Sequence, residues 1–511
     1  MAAKSSKYQT ATSDVEGYTR IKHQYTAMCD GVELCANHFL PFAAPKENQK
    51  VPVICSWGPC GKDIHASKLE LPKTHIYAEM YKHIKPLGPD AVFELCEPLI
   101  WCKNYGYALL RLDPFGLERS VRFKQMRKDR WAAEQSWSSG KVAFSGISYF
   151  GMAGYWTAMQ KPSHLTCTRG VYSNNFQSHW FNNIVLPSQG PHQDGPLSES
   201  ELIKNRVNYL ELLTREEYPT DGPWAILEKV RKLSDIDVPF YTAGNWTDPE
   251  LHLPGNIRSF NEISSKHSWL EMHTGNHLGA FYDPEHIALQ KKFLDYFLFD
   301  RTDNGMLEVP RIRLLQHHGV NTFYRENEVA FPPPDAEDVS LYLTTDKTLF
   351  LTTPTGQPHD FVYQAIKDNL TFDLDNTFSE SFELLGSPYL DLDVSTEAKD
   401  LDLFVYLRAI DEKWERTILK GNHGEPMDSF ARGYFRLSHR DELAKDFAEK
   451  KVLSQPQLPA SEVVRDKVYS VKIPLTIPPM RHEGGDRVPE LFDGKNVIYS
   501  HGRLVPPRIR R

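Results

Sequence analysis

A serine set between small residues at the end of an apolar run is the first feature that could do chemistry. The stretch "KVAFSGISYFGMAGYWTAM" (141–159) places Ser148 between a β-rich segment and one of helical character. A serine hydroxyl is a weak nucleophile and acts only when held exposed to a base, which a sharp strand-to-helix turn does. Gly146 lies two residues before the serine and Gly151 three after it; Phe150 stands where the general pattern has its second glycine. The base would be a histidine whose tautomer is fixed by a carboxylate, and in α/β-hydrolases the chain order is serine, acid, histidine. Asp248 follows the apolar run "VPFYTAGNW" and His277 follows "SWLEMHTGN", so both stand past the ends of expected strands and in that order. Asp235, Asp237, His252 and His273 are rivals nearby, whereas Glu134 belongs to the helix before the serine. Asp248-Pro249 as a plain turn and His277 as a surface loop residue are the non-catalytic alternatives. A metal reading of His252, His273 and His277 has no compact ligand motif behind it.

These residues need elements to hold them. Two short strands are expected within 19–42 around the Asp30-Gly31 turn, and further strands over 51–58, 107–113, 141–146, 238–246 and 268–275. Helical pattern covers 125–137, 149–160 and 286–305. Alternating strands and helices predict a mostly parallel sheet with helices on both faces. Such sheets gather catalytic groups at the carboxyl ends of their strands. Residues 198–234 are polar, rich in Leu and Glu and helical in period, in the place where a cap would be inserted; ordinary packing helices are the alternative. "FPPPDAEDV" (331–339) reads as a linker, and short β-like pieces spaced by turn formers follow it, which predicts a sandwich or jelly roll.

Composition narrows the class. The chain has 511 residues, 40% apolar and 25% charged, with a net charge of -8. That is a globular composition, long enough for two to four domains, and it lacks the basic balance of a general nucleic-acid binder. No apolar run reaches the ~18 residues of a membrane helix. The first residues, "MAAKSSKYQTATSDVEGY", have no apolar core of a secretory signal, and the final "PPRIRR" reads as a solvated tail. Seven cysteines (Cys29, Cys35, Cys55, Cys60, Cys96, Cys102 and Cys167) show no C-x-x-C spacing, so reduced thiols in a cytoplasmic protein are expected. In that setting the sequons at Asn245 and Asn369 carry no meaning. A homodimer is compatible with the sequence.

Taken together, these motifs resemble a family of serine hydrolases that includes Xaa-Pro dipeptidyl-peptidases, cocaine esterase, cephalosporin acylases and α-amino-acid ester hydrolases. Gly146-Ile147-Ser148-Tyr149-Phe150-Gly151 fits the family's G-x-S-Y-x-G turn. Trp131, Gln135, Trp137 and Gly140 resemble its preceding W…Q-W-x-x-G run, "WTD" (246–248) its acid motif, and "TGNHLG" (274–279) its histidine motif. "DGVELCANHFLP" (30–41) is similar to the family's opening hairpin and "RGYFRLSHR" (432–440) to a signature of its C-terminal domain. The resemblance implies an α/β-hydrolase fold with an inserted helical cap and a C-terminal all-β jelly-roll domain. The expected boundaries are core 1–180 and 237–330, cap 181–236 and β domain 331–511.

The sequence departs from the family in places. After Asp113 the family's arginine is replaced by Phe115, and the histidine motif is looser than usual. In "GPCGK" Cys60 stands where the family has a tyrosine whose hydroxyl is one oxyanion donor. The other implied donor is the Tyr149 backbone N–H. Losing a preorganised donor typically costs ~10²–10³ in rate. A thiol is a weak, short replacement, and Pro59 has no N–H. A backbone N–H of Gly61, or another side chain such as Tyr149 or Trp57, would complete the hole; a weak hole is the third outcome. A Cys60 nucleophile has only His65 near it in sequence.

The expected activity is hydrolysis of a small-molecule ester or amide through an acyl-enzyme on Ser148, with His277 as base and Asp248 as acid partner. Trp57, Trp180 and Trp224 would line the substrate pocket. No metal or organic cofactor is implied, and neither a nucleic acid nor a membrane is an expected partner. Acyl transfer to an alcohol or amine is the main alternative. A dipeptidyl-peptidase needs an acidic anchor for its substrate's amino group, and none is recognisable in this sequence; a non-catalytic binding protein leaves the serine, acid and histidine set unexplained.

Overall fold

The computed structural model describes residues 10–27, 33–41, 50–58, 62–63, 65–68, 82–83, 86–113, 128–170, 232–249, 252–318, 322–337, 339–350, 360–362, 364, 370–374, 382–386, 388–409, 418–421, 426–427, 429–441, 460–476, 480–482, 497–505 and 508–510. Its centre is built from the apolar runs. Strands β1 (Ala11–Val15), β2 (Tyr18–Ala27), β3 (Glu33–Pro41), β4 (Val51–Trp57), β5 (Ala108–Leu112), β6 (Ser138–Phe144), β7 (Leu165–Gly170), β8 (Phe240–Asn245), β9 (Ser268–His273) and β10 (Ile312–His318) pair in the order β1-β2-β3-β5-β4-β6-β7-β8-β9-β10. The pairings up to β3–β5 are antiparallel. Those from β5 through β10 are parallel. Every residue of β4, β5 and β8 is buried, as expected of strands covered on both faces.

Helices supply the covers: α1 (Lys128–Ala133), α2 (Ser148–Ala158), α3 (Leu253–Glu262), α4 (Gly279–Tyr282) and α5 (Pro284–Leu298). On one face Phe281, Leu289, Phe293 and Leu294 of α4 and α5 pack with Ile54, Leu109 and Tyr241. On the other, Ala132 of α1 and Ala153, Tyr155 and Ala158 of α2 pack with Val53, Leu110 and Phe240. Helix α5 starts where Asp283 accepts a hydrogen bond from the Glu285 N–H at 2.9 Å. Strand β7 and helix α3 are additions to the sequence reading. Pro254 and Gly255 look like a turn, but Pro is tolerated in a first helical turn because its missing N–H would have no helical acceptor there.

After β4 the chain adds β5 on one side of it and β6 on the other. That reversal opens a crevice at the carboxyl ends of the strands. Trp57, Ser148, Asp248 and His277 all lie at or beyond those ends, on β4, β6, β8 and β9 respectively.

Beyond the expected linker the chain is β-rich. A seven-stranded sheet containing Leu341–Leu343, Tyr389–Ser395, Tyr469–Pro474 and Val497–Val505 and a ribbon of Asp402–Leu407 with Ala431–Arg436 contribute to one core, among them Leu341, Leu390, Leu403, Phe435 and Ile473. Phe382–Leu385, Met480–His482 and Arg508–Arg510 instead extend the large sheet past β10. The expected cap lies outside the described residues except for 232–236, which contain a 3-10 turn at Leu233–Asp235.

Candidate active site

The serine turn is tight because of the residues around it. Ile147 is extended at φ -99°, ψ 158°, and Ser148 then takes a left-handed φ of 52° as α2 begins. For a residue with a Cβ that conformation costs about 1–2 kcal/mol, so the surroundings must enforce it. The Ser145 N–H donates to Cys55 O at 3.2 Å and the Ile147 N–H to Glu94 O at 3.2 Å. Ser56 Oγ donates to Ser145 O at 2.6 Å. Phe150 is buried in the angle of the turn. A Cβ on Gly146 would sit 2.4 Å from Phe150 Cβ, and one on Gly58 would sit 2.6 Å from its ring. Two glycines thus make room for one phenylalanine, and the serine is left half-buried at the mouth of the crevice.

The loops carrying Asp248 and His277 are tied to each other. Asn245 Nδ2 donates to Gly275 O at 2.8 Å, and Thr247 Oγ1 donates to Asn245 Oδ1 at 2.8 Å and to Gly275 O at 3.0 Å. Gly275 has φ 95°, a conformation suited to glycine. Asn276 Oδ1 accepts from the N–H groups of Leu278 and Gly279, closing a turn around His277. Trp246 is buried between the two parts of the chain, packed with Leu253, Met272, Phe331 and Leu385. The "WTD" and "TGNHLG" motifs therefore read as an anchor, a clamp and a turn. Asn245, the first sequon asparagine, is buried and uses its amide in the clamp.

Asp248, His252 and His277 come together, with one potential ligand atom from each lying within 4.8 Å of the others. His252 Nε2 is 4.0 Å from Asp248 Oδ2, and the two imidazole rings stack with centroids 5.7 Å apart. Of the sequence rivals only His252 belongs to this cluster, which is also the group among the described residues able to ligate a metal ion. His277 also meets a residue that the sequence reading missed. Its Nε2 is 2.7 Å from Glu94 Oε1. Glu94 comes from the β4–β5 connection, is 1% exposed, and has a left-handed φ of 66°. A charged residue inside the apolar run "VFELC" was the only signal of it in the sequence.

Burial works against both charges. It pulls the His277 imidazole down, but the hydrogen bond and charge of Glu94, with the charge of Asp248, outweigh it and leave His277 raised. Burial pushes the Glu94 carboxyl up, and His277 draws it only part of the way back.

Cys60 and Gly61, the sequence candidates for the oxyanion loop, lie outside the described residues, as do Trp180 and Trp224. The ends of that loop are described. Gly58 packs under Phe150, and buried Lys62 reaches Asp113 Oδ2 at 2.8 Å and Asp63 Oδ2 at 2.7 Å. Burial raises the Asp63 carboxyl, but a His23 hydrogen bond and the Lys62 charge hold it below the usual carboxylate range. Tyr149 lies in the first turn of α2, where backbone N–H groups have no acceptor within their own helix. Trp57 packs edge-on to Tyr149 at 5.9 Å and near Trp156 at 6.2 Å.

Residues 30–194 match the X-Pro dipeptidyl-peptidase (S15 family) model. Residues 304–483 match the X-Pro dipeptidyl-peptidase C-terminal non-catalytic domain. Comparison with curated protein sequences finds no match. Among solved structures, a CocE/NonD family hydrolase from Staphylococcus aureus superposes with a TM-score of 0.80 at 22% identity, over 96% of this chain and 94% of that one. An aminopeptidase from a marine sediment archaeon, Thaumarchaeota archaeon, gives 0.64 at 15% identity, covering 100% and 98%. An α-amino acid ester hydrolase gives 0.62 at 14% identity, covering 100% and 99%. At these identities the likeness is one of fold.

Proposed function

Since the chain belongs to the X-Pro dipeptidyl-peptidase S15 / CocE/NonD family of hydrolases, with that family's C-terminal non-catalytic domain, we propose that it cleaves a small-molecule ester or amide through an acyl-enzyme on Ser148. The observation that carries this reading is the left-handed Ser148 at a strand-to-helix turn on the carboxyl edge of a parallel sheet. Strain of that kind holds a nucleophile out toward its substrate.

In this mechanism Ser148 Oγ attacks the substrate carbonyl and its proton passes to His277. The tetrahedral oxyanion is held by the Tyr149 N–H and by a donor from the Cys60–Gly61 loop. His277 returns the proton to the leaving alcohol or amine, and Asp248 stabilises the imidazolium by its charge. Water, deprotonated by His277, then releases the acid and restores Ser148. Trp57, Trp180 and Trp224 are the aromatic residues assigned to the substrate side.

A fluorophosphonate probe with peptide mapping tests the proposal. One adduct is expected, on Ser148, absent in Ser148→Ala and formed at least ~10³-fold more slowly in His277→Ala. A folded wild-type protein that stays unlabelled between pH 6 and 9 would overturn the mechanism.

A further inference from the structure

We infer that Glu94 is a positioning residue of the proposed relay, the carboxylate that fixes the orientation and tautomer of His277. The inference rests on the serine-hydrolase reading above and extends it to a residue outside the three that the motifs pick out.

The argument is one of geometry. Glu94 Oε1 lies 2.7 Å from His277 Nε2. With the carboxylate ionised, that contact places a ring hydrogen on Nε2 and fixes the plane of the ring. Glu94 Oε2 accepts no hydrogen bond among the described residues, so the side chain is committed to His277. A buried carboxylate is costly unless it is paired, and here the pairing is with the candidate base.

The backbone points the same way. Glu94 is held left-handed, and its carbonyl accepts the N–H of Ile147, the residue before the nucleophile. Its neighbours are pinned as well: Tyr282 donates to Leu95 O at 3.0 Å and Arg111 to Cys96 O at 2.7 Å. One segment thus touches both the turn of the nucleophile and the ring of the base. A shift in either would be passed to the other.

Other titratable groups among the described residues lie around the pair. Asp248 and His252 face His277 from the β8 side. Tyr282 lies beside Glu94, Cys96, Glu97 and Arg111. Arg111 gives its donors to the carbonyls of Asp90 and Cys96, and Glu97 accepts from the Ile100 N–H. His83 lies near Gly279, two residues beyond His277.

The test is the pH profile of Ser148 labelling in wild type, Glu94→Gln and Asp248→Asn, with thermal unfolding as a check on folding. Base catalysis appears as His277 loses its proton, so labelling rises through the His277 midpoint. Removing a carboxylate that favours the charged ring moves the midpoint to lower pH. For Glu94→Gln a downward shift of about one pH unit or more is expected, from the loss of an opposite charge in contact. The plateau rate should fall at least ~10-fold, because an amide no longer selects the tautomer. Glu94→Asp, which keeps the charge but withdraws it by one methylene, should lower the rate with a smaller midpoint shift. It also serves as the deciding variant if Glu94→Gln does not fold. Wild-type rate and midpoint in a folded Glu94 variant would overturn the role of Glu94 while leaving Ser148 as nucleophile. Failure of wild type itself to label would overturn both.

Discussion

Phe150 stands where the general strand-to-helix turn has a glycine, and its ring fills the space that Gly58 and Gly146 leave open. The spacing G-x-S-x-x-G is therefore a packing solution: one glycine moves along the helix, and two others give way to the phenyl group. A methyl group at position 146 has to displace Phe150, and with it the backbone that holds Ser148 left-handed. Gly146→Ala should destabilise the fold by about 1–3 kcal/mol, the range for an overpacked core, and slow Ser148 labelling at the same time. Chemical denaturation together with labelling kinetics measures both; loss of stability with an unchanged labelling rate would separate the turn from the chemistry.

Among the elements, β9 and α5 bear most directly on the proposed base, because the loop holding His277 runs between them. They are joined by a buried network in which Glu271 meets His286 at 3.3 Å, Arg313 at 3.2 Å and the hydroxyl of Tyr241. Burial raises the Glu271 carboxyl, but the hydrogen bond and charge of His286, the charge of Arg313 and the Tyr241 hydrogen bond outweigh it, bringing it from 4.5 to about 2. A depressed carboxyl adds stability above its unfolded value and loses it as pH falls through its folded one. The stability advantage of wild type over Glu271→Gln should therefore be full at pH 6 and shrink between about pH 4.5 and 2. Urea denaturation across that range reads it directly, and a difference that does not vary with pH would show that the network acts through packing alone.

At the scale of the whole molecule, the hydrolase sheet does not stop at the linker. Strands from beyond residue 331 extend it, and Phe331, Ala336 and Leu385 pack with Trp246, two residues before Asp248. The C-terminal part of the chain thus helps to hold the Asp248 loop in place. Replacing a buried Trp by Ala costs about 3–5 kcal/mol. Trp246→Ala should lose stability of that order and also slow labelling, since the indole braces the clamp between Asn245, Thr247 and Gly275. If the variant is destabilised but labels like wild type, the bracing role fails.

The strand pattern and the serine turn were legible in the sequence because each depends on neighbours within a dozen residues. Alternation, turn formers and strand-end positions are local properties, and so are the family motifs around Ser148, Asp248 and His277. Helix α3 was hidden by a Pro-Gly pair that looks like a turn, and β7 by its short, mixed composition. Glu94 was beyond reach for a different reason. It stands 54 residues before Ser148 and 183 before His277, in a segment with no motif. Only the doubling back of the chain at β4, the left-handed backbone at Glu94 and the burial of its carboxyl bring it to the imidazole, and those are set by tertiary packing.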